Sequence, residues 1–409
     1  MVIVKLFMRH YTSESLGRGR MKVSFFTGGE VNGHYELGLL SGLVSKPLHI
    51  DVIGSNTIMH SHILQNANIT FLNYFGVRSP NMSIKKKAFR IIKYYFRIIR
   101  YTLETDSRLF HVQSINKFVF FDRTLLMIFY KMFRKKIIFT AHNIDREERD
   151  GKNTWGNRLS LYFLYKIVDH LIVHTDKMKL QLIENFDVPK SKITVIAHGI
   201  MDVVPKTNMT TVEAREKINL TAKDKVILFF GKIAPYKGLE YLILALSKLV
   251  GKYSDLRVVL AGNVKDCKEY WEDVQRTIQE HGLSRNIIYR IEYIPDEEVE
   301  IYFKSADVLI IPYKHIFQSG VIFLSYNFGL PVIATDVGSL RECIIEGETG
   351  FICKPESPDD LAEKIETYFY SDLYRNLKEN RSKIIQNANE KYSWGKIGEK
   401  TYSLYTSLT

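Results

Sequence analysis

Lys232 and Lys237 flank one short loop in the segment FFGKIAPYKGLEYLILAL. A strand-like run ends at Gly231 and a helix-like run opens at Gly238, so the loop joins a strand to a helix. Glycine lets backbone approach a ligand, a helix start presents free amides, and two ammonium groups add positive charge. Together these suit a diphosphate. An ordinary strand-to-helix turn with two solvated lysines explains this loop alone equally well. A second loop repeats the arrangement: DVLIIPY (307–313) is followed by KHIFQSG and then VIFLSYNF, which Gly329 and Pro331 stop. Ser319 is placed to cap that helix, with the amides near Ser319, Gly320 and Val321 facing outward at the carboxyl edge of the sheet. One such loop reads as a capped core helix. Two in a single domain, after neighbouring strands, are harder to assign to packing alone.

The first half offers less definite chemistry. FTAHNIDREERD puts His142 and Asn143 directly after a strand, where α/β proteins bind ligands. On its own, a histidine there is more often structural. Asp145, Glu147 and Glu148 follow and could bind hydroxyl groups, or simply form a solvated loop. Gly28 and Gly29, with Glu30, Asn32 and His34, occupy the first strand-to-helix loop, either a flexible turn or one side of a cleft. The segment 83–102 carries Lys86, Arg90, Lys93, Arg97 and Arg100 at three- and four-residue intervals, opposite Ile84, Ala88, Ile91, Tyr95 and Ile98. This spacing predicts a helix with one basic and one apolar-aromatic face, suited to an anionic membrane surface while its apolar side packs on the sheet.

Short apolar runs must position these residues. In the first half they fall at 22–27, 48–54, 109–113, 136–141, 170–174 and 193–197, with helical segments between. The pattern restarts at 225–231, 256–262, 287–294, 307–313 and 331–336, with helices at 239–250, 268–282, 296–305 and 320–328. Strands alternating with helices argue for parallel sheets, and two successive α/β units result. The polar stretch near 201–210 reads as their connection, and 393–407 as a final helix. A length of 409 residues with 45% apolar content accommodates both cores.

Residues 1–200 hold 30 Lys and Arg against 15 Asp and Glu, so the whole excess behind the net charge of +12 lies in the first half. One domain therefore meets an anionic surface. Membrane lipid fits better than nucleic acid, because no nucleic-acid module surrounds the basic stretch. There is no apolar run long enough to span a bilayer, and the charged first twenty residues do not form a secretory signal. Three cysteines make neither a disulfide framework nor a pair of zinc knuckles. The expected location is cytoplasmic, peripheral at the inner face of the membrane.

GKIAPYKGLEYLILAL, IPDEEVEIYFKSADVLIIPY and QSGVIFLSYNFGLPVIATDVGSLRECIIEGETGF together resemble the nucleotide-sugar domain of the family-4 glycosyltransferases, in order and spacing over about 160 residues. The resemblance implies the GT-B fold, two Rossmann-like α/β domains with a cleft between them, and a retaining hexosyltransferase. It divides the chain into an extension (1–20), an acceptor-side domain (21–200), a nucleotide-sugar domain (201–390) and a terminal helix (391–409) crossing back to the first domain. Lys232 stands where the family usually has Arg, and Lys237 on the family's lysine. Both would neutralise the departing diphosphate. Gly231 lies in the same loop, Ser319, Gly320 and Val321 would donate backbone hydrogen bonds to the phosphates, and Glu342 matches a glutamate that commonly follows the next loop. His142 would approach the donor sugar, and Gly28, Gly29 and His34 would line the acceptor side. Many relatives carry two glutamates eight positions apart. Ile316 and Leu324 stand there instead, and Gln318-Ser319-Gly320 resembles a subset lacking those acids, with Gln318 as the substitute contact to a donor hydroxyl. The implied partners are a nucleoside-diphosphate sugar, as substrate and not cofactor, and a saccharide or lipid-linked acceptor. No metal is expected to be required. The alternatives are a nucleotide-sugar epimerase and a non-catalytic subunit that anchors a partner at the membrane.

Overall fold

The computed structural model describes residues 20–27, 33–77, 82–115, 118–144, 154–202, 204–264 and 266–409. Gly28, Gly29, Asp145, Glu147 and Glu148 lie outside them. The first sheet contains β1 (Met21–Phe26), β2 (Leu48–Gly54), β3 (Ile69–Asn73), β4 (Leu109–Val112), β5 (Lys136–Thr140), β6 (His170–Val173) and β7 (Ile193–Val195) in the order β3-β2-β1-β4-β5-β6-β7. The second contains β8 (Lys225–Phe230), β9 (Leu256–Ala261), β10 (Ile287–Arg290), β11 (Val308–Ile311), β12 (Val332–Thr335) and β13 (Gly350–Cys353) in the order β10-β9-β8-β11-β12-β13. All the pairings are parallel. These are two doubly wound Rossmann-like units, in which strand order reverses between β1 and β4 and between β8 and β11. Such reversals open a crevice at the carboxyl edge of the sheet. The strands are continuous Val, Ile, Leu and Phe runs because helices bury both faces of each sheet.

β3 and β13 are additions to the strands read from the sequence. ITFLN follows a polar turn and GFIC is four residues long, so neither has enough apolar length to declare itself.

The final helix, Trp394–Leu408, packs on the first domain against α1 (Gly33–Leu43). Small residues permit the close approach: a Cβ on Gly42 would lie 2.0 Å from the Trp394 carbonyl oxygen. Trp394 is buried there, and its Nε1 donates to Asp202 Oδ1 at 2.9 Å.

The basic segment forms α2 (Ile84–Glu104), and it has three faces instead of two. Tyr94, Ile98, Tyr101 and Thr102 are buried against the sheet. The basic row lies beside them, but Ile84 and Ala88, expected on the packed side, are exposed. A third row of Phe89, Ile92, Phe96, Ile99 and Leu103 faces solvent. A two-faced helix would have placed these apolar side chains inside. Tyr94 and Tyr101 fill that side of the core instead, which turns the helix so that the third row stays out.

Candidate functional site

β8 and β11 are hydrogen-bonded neighbours, so the loops that follow them open at the same switch point. After β8 the chain turns through Gly231 (φ 102°) and a single 3₁₀ turn, Pro235–Lys237. Lys237 is buried, with its Nζ 5.2 Å from the Tyr313 ring centre and 6.0 Å from that of Phe229. A Cβ on Gly231 would sit 2.9 Å from that Nζ, so any side chain at 231 would displace the ammonium group. Lys232 is exposed at the lip of the loop. The two lysines therefore differ in kind: one is held by aromatic faces and the other moves in solvent. Glu240, in the first turn of the next helix, takes Lys314 Nζ at 2.8 Å and the Tyr270 hydroxyl, tying the β8 loop to the β11 loop.

After β11 the helix Gly320–Asn327 begins at Ser319. Ser319 occupies the cap position, but its hydroxyl makes no capping hydrogen bond. It meets the Tyr313 hydroxyl instead. Tyr313 thus lies beside both Lys237 and Ser319, bringing the buried lysine and the helix start to one place. The loop that carries Gln318 is clamped from behind. Ser339 N donates to the Phe317 carbonyl at 3.0 Å, and a Cβ on Gly338 (φ 55°) would lie 1.8 Å from the Ile316 carbonyl oxygen. Gln318, Gly320 and Val321 are half-buried at this edge. Ile316 is half-buried and Leu324 is buried in the core, so neither position offers a polar group.

The first domain faces this edge with histidines. His142, His174 and His198 follow the carboxyl ends of β5, β6 and β7, three adjacent strands. His174 Nδ1 is 2.9 Å from the Ile196 carbonyl oxygen, which can only accept, so Nδ1 carries the proton. Its Nε2 therefore accepts from His142 Nδ1 at 3.0 Å, leaving the lone pair of His142 on Nε2. Gln113 Oε1 is placed 3.2 Å from that nitrogen and its Nε2 2.8 Å from His111 Nε2, and this proton order assigns the amide the flipped orientation, with NH₂ toward His142 and the oxygen toward His111. Burial holds the imidazoles neutral: it pushes His142 down to about 3 and His198 to about 4, and lowers His174 well below its ordinary value. Tyr35 packs its ring against all three. His198 stacks on Phe323 of the helix Gly320–Asn327 at 5.0 Å, so the histidine row ends directly on that helix of the second domain. His174 and His198 are not among the residues singled out from the sequence. The signal was the repetition, a histidine after each of three adjacent strands.

Glu342 is placed away from the loops just described. Its carboxylate faces the backbone amides of Asp176 and Lys177, at the start of the helix Asp176–Phe186 in the first domain. Desolvation, and then the Asp176 charge, raise its pKa. Thr175 Oγ1 and Ser339 Oγ meet beside it at 2.8 Å. His34 also crosses between the domains, 3.4 Å from Asp296 Oδ1. These contacts link the two domains.

Residues 37–202 match the model for Glycosyltransferase Family 4, and residues 211–391 that for Glycosyl transferases group 1. The chain belongs to the GT-B glycosyltransferases. The D-inositol 3-phosphate glycosyltransferase of Corynebacterium efficiens is 26% identical over 291 residues, covering 68% of this chain and 67% of that protein. An uncharacterised glycosyltransferase of Methanocaldococcus jannaschii is 28% identical over 238 residues, or 58% of this chain, and the match spans only 59% of that relative's length. The Anabaena protein HepE, crystallised with UDP-glucose, superimposes with a TM-score of 0.72 at 15% identity, over 95% of this chain and 100% of that one. At that identity the likeness shows the fold alone.

Proposed function

We propose that this glycosyltransferase moves a hexose-type sugar, with retention, from a nucleoside-diphosphate sugar to a saccharide or lipid-linked acceptor in cell-surface polysaccharide or glycolipid synthesis. Residues 201–390 take the donor, residues 21–200 face the acceptor, and the terminal helix joins them. One observation carries the reading: a buried ammonium, Lys237, and the first turn at Ser319–Val321 share one switch point through Tyr313. The donor in the HepE complex, UDP-glucose, supports the choice of substrate class.

In this reading Lys237 and the first-turn amides are fixed before the glycosidic bond breaks and meet charge as it develops on the leaving diphosphate. Lys232 adds a mobile charge from the lip. With these groups supplying positive charge, the reading calls for no metal. Neutral His142 offers its Nε2 lone pair to a donor-sugar hydroxyl in exchange for Gln113, and Gln318 holds another hydroxyl. The acceptor hydroxyl attacks from the face the diphosphate leaves, and the leaving phosphate takes its proton. The exposed cations of α2 rest on an anionic membrane surface, at the cytoplasmic side.

Ile316 and Leu324 favour a second reading, a non-catalytic partner subunit, because they remove two acids that relatives use. Incubation with a donor panel and lipid extract separates the readings. Release of free nucleoside diphosphate supports transfer. An altered sugar without release means isomerisation, and neither outcome with any donor means a subunit.

A further inference from the structure

A groove of about 590 Å³ runs between α2 and the chain leaving β3, and it belongs to none of the loops above. Tyr74 and Phe75 line it, with Phe75 stacked on Tyr94 at 4.0 Å, which gives it an apolar floor. Lys86, Arg90, Lys93 and Arg97 also line it. Two of these cations are anchored: Arg90 donates to the Val77 carbonyl at 2.8 Å, and Arg97 donates to that of Asn73 at 3.2 Å. A guanidinium has five N–H donors, so each keeps others for an anion. With Lys85, five cations line an aromatic floor, which suits a phosphate attached to something apolar.

The attached part has somewhere to go. Phe89 lines the groove and also begins the exposed apolar row of α2, with Phe89 68%, Ile92 68% and Phe96 66% exposed. The row is next to α3 (Val119–Arg123) and α4 (Leu125–Met132), since Tyr95 meets the Phe121 ring edge-on at 5.1 Å. Phe120 and Met132 are exposed on those helices too. Monomeric surfaces rarely leave so many large apolar side chains uncovered together. Lysines and arginines beside such a row match an interfacial helix that lies in the headgroup layer with its apolar side chains among acyl chains.

We infer that the groove binds the phosphate of an anionic lipid while the apolar row of α2 enters the bilayer that presents it. This deepens the proposed membrane contact. It adds a headgroup site and acyl-chain insertion, and it rests on that contact for the source of the lipid. A surface that met the membrane by charge alone would need the cations but not the exposed Phe89 and Phe96. A second copy of this chain as occupant would set the same basic stretches against each other.

The test uses the full chain, with Phe96→Trp as a reporter, and phosphatidylcholine vesicles with or without phosphatidylglycerol, in both plain and chain-brominated forms. Expected results are binding only with the anionic lipid, quenching of the new indole by brominated chains, and a loss of affinity on the order of tenfold in both Lys86→Glu/Lys93→Glu and Phe89→Ser/Phe96→Ser. All four of these side chains are exposed, so thermal melting of each double variant should match the parent. Unquenched indole with unchanged binding of the serine variant would overturn insertion. Displacement by millimolar inorganic phosphate would reduce the groove to a soluble-anion site, and self-association that disappears in the serine variant would assign the row to a second copy. Either result overturns the inference. Release of nucleoside diphosphate by the unmodified chain, measured in parallel, reads the transfer reaction separately from lipid binding.

Discussion

The two sides of the cleft present opposite chemistry from equivalent places. At the carboxyl edge of the second sheet a buried lysine, Lys237, is packed between aromatic rings and beside a helix start. At the matching edge of the first sheet stands a row of imidazoles that burial keeps neutral. In the proposed reading, the difference teaches how one fold would serve the two ends of one substrate. A leaving diphosphate needs charge already in place, whereas sugar hydroxyls need lone pairs and donors in a defined order.

Removing charge from the second side should have the largest effect. Lys237→Ala should lower the rate of nucleoside-diphosphate release by about 100- to 1,000-fold, the range seen for losing one preorganised group at a developing anion, with an unchanged circular dichroism spectrum. Lys232→Ala should cost less, about tenfold, because a solvent-exposed charge is screened. Equal losses in the two variants would show that burial of Lys237 contributes nothing.

The first side is tested through its proton order. His174→Phe keeps a ring but removes the nitrogen that accepts from His142, so His142 can adopt either tautomer. The expected result is a fall of about tenfold in kcat with KM little changed. The ¹⁵N shifts of His142 should move from a pure Nε2 lone pair toward a mixture of tautomers. Unchanged shifts would mean that Gln113, not His174, sets the order. A smaller effect is expected at the clasp. Ser339→Ala should alter KM for the donor about twofold and raise the radius of gyration measured without donor.

The same imidazoles set a pH dependence of folding. Their native pKa values lie below the ordinary 6.5, at about 3 for His142 and about 4 for His198. Above 6.5 both folded and unfolded chains are neutral at these sites, and no stability is lost. Below it the unfolded chain takes up protons that the native one refuses, so stability falls as pH drops from about 6.5 toward 4. The limiting slope is about 1.4 kcal/mol per pH unit for each histidine. A Tm that is flat from pH 7 to 5 would contradict this, and His142→Gln should remove about one proton's share of the slope.

The second domain could be read from the sequence because its chemistry is local. Lys232, Lys237 and Gly231 lie in one loop, Ser319–Val321 in another, and both follow strong apolar runs that could only be strands. The first domain's chemistry comes from different strands. His142, His174 and Gln113 meet only after β4, β5 and β6 are laid side by side; the chain offers a histidine after each of three successive strands, but nothing in it announces Gln113. Glu342 shows the same limit in reverse. It enters only through the family resemblance, as a ligand contact or a residue that orders a helix, and the sequence does not show that its carboxylate faces the first turn of a helix in the other domain. On α2 the charges were legible from their period, but which apolar row stays outside was decided by Tyr94 and Tyr101, whose burial depends on the sheet beneath.

The central claim is that a diphosphate lodges between Lys237 and the helix turn at Ser319–Val321. A crystal soaked with a sugar nucleotide tests it directly. The account predicts diphosphate oxygens within hydrogen-bonding distance of Lys237 Nζ and of the Gly320 or Val321 amide, with the sugar turned toward His142. A nucleotide bound elsewhere, with that pocket empty, would contradict it.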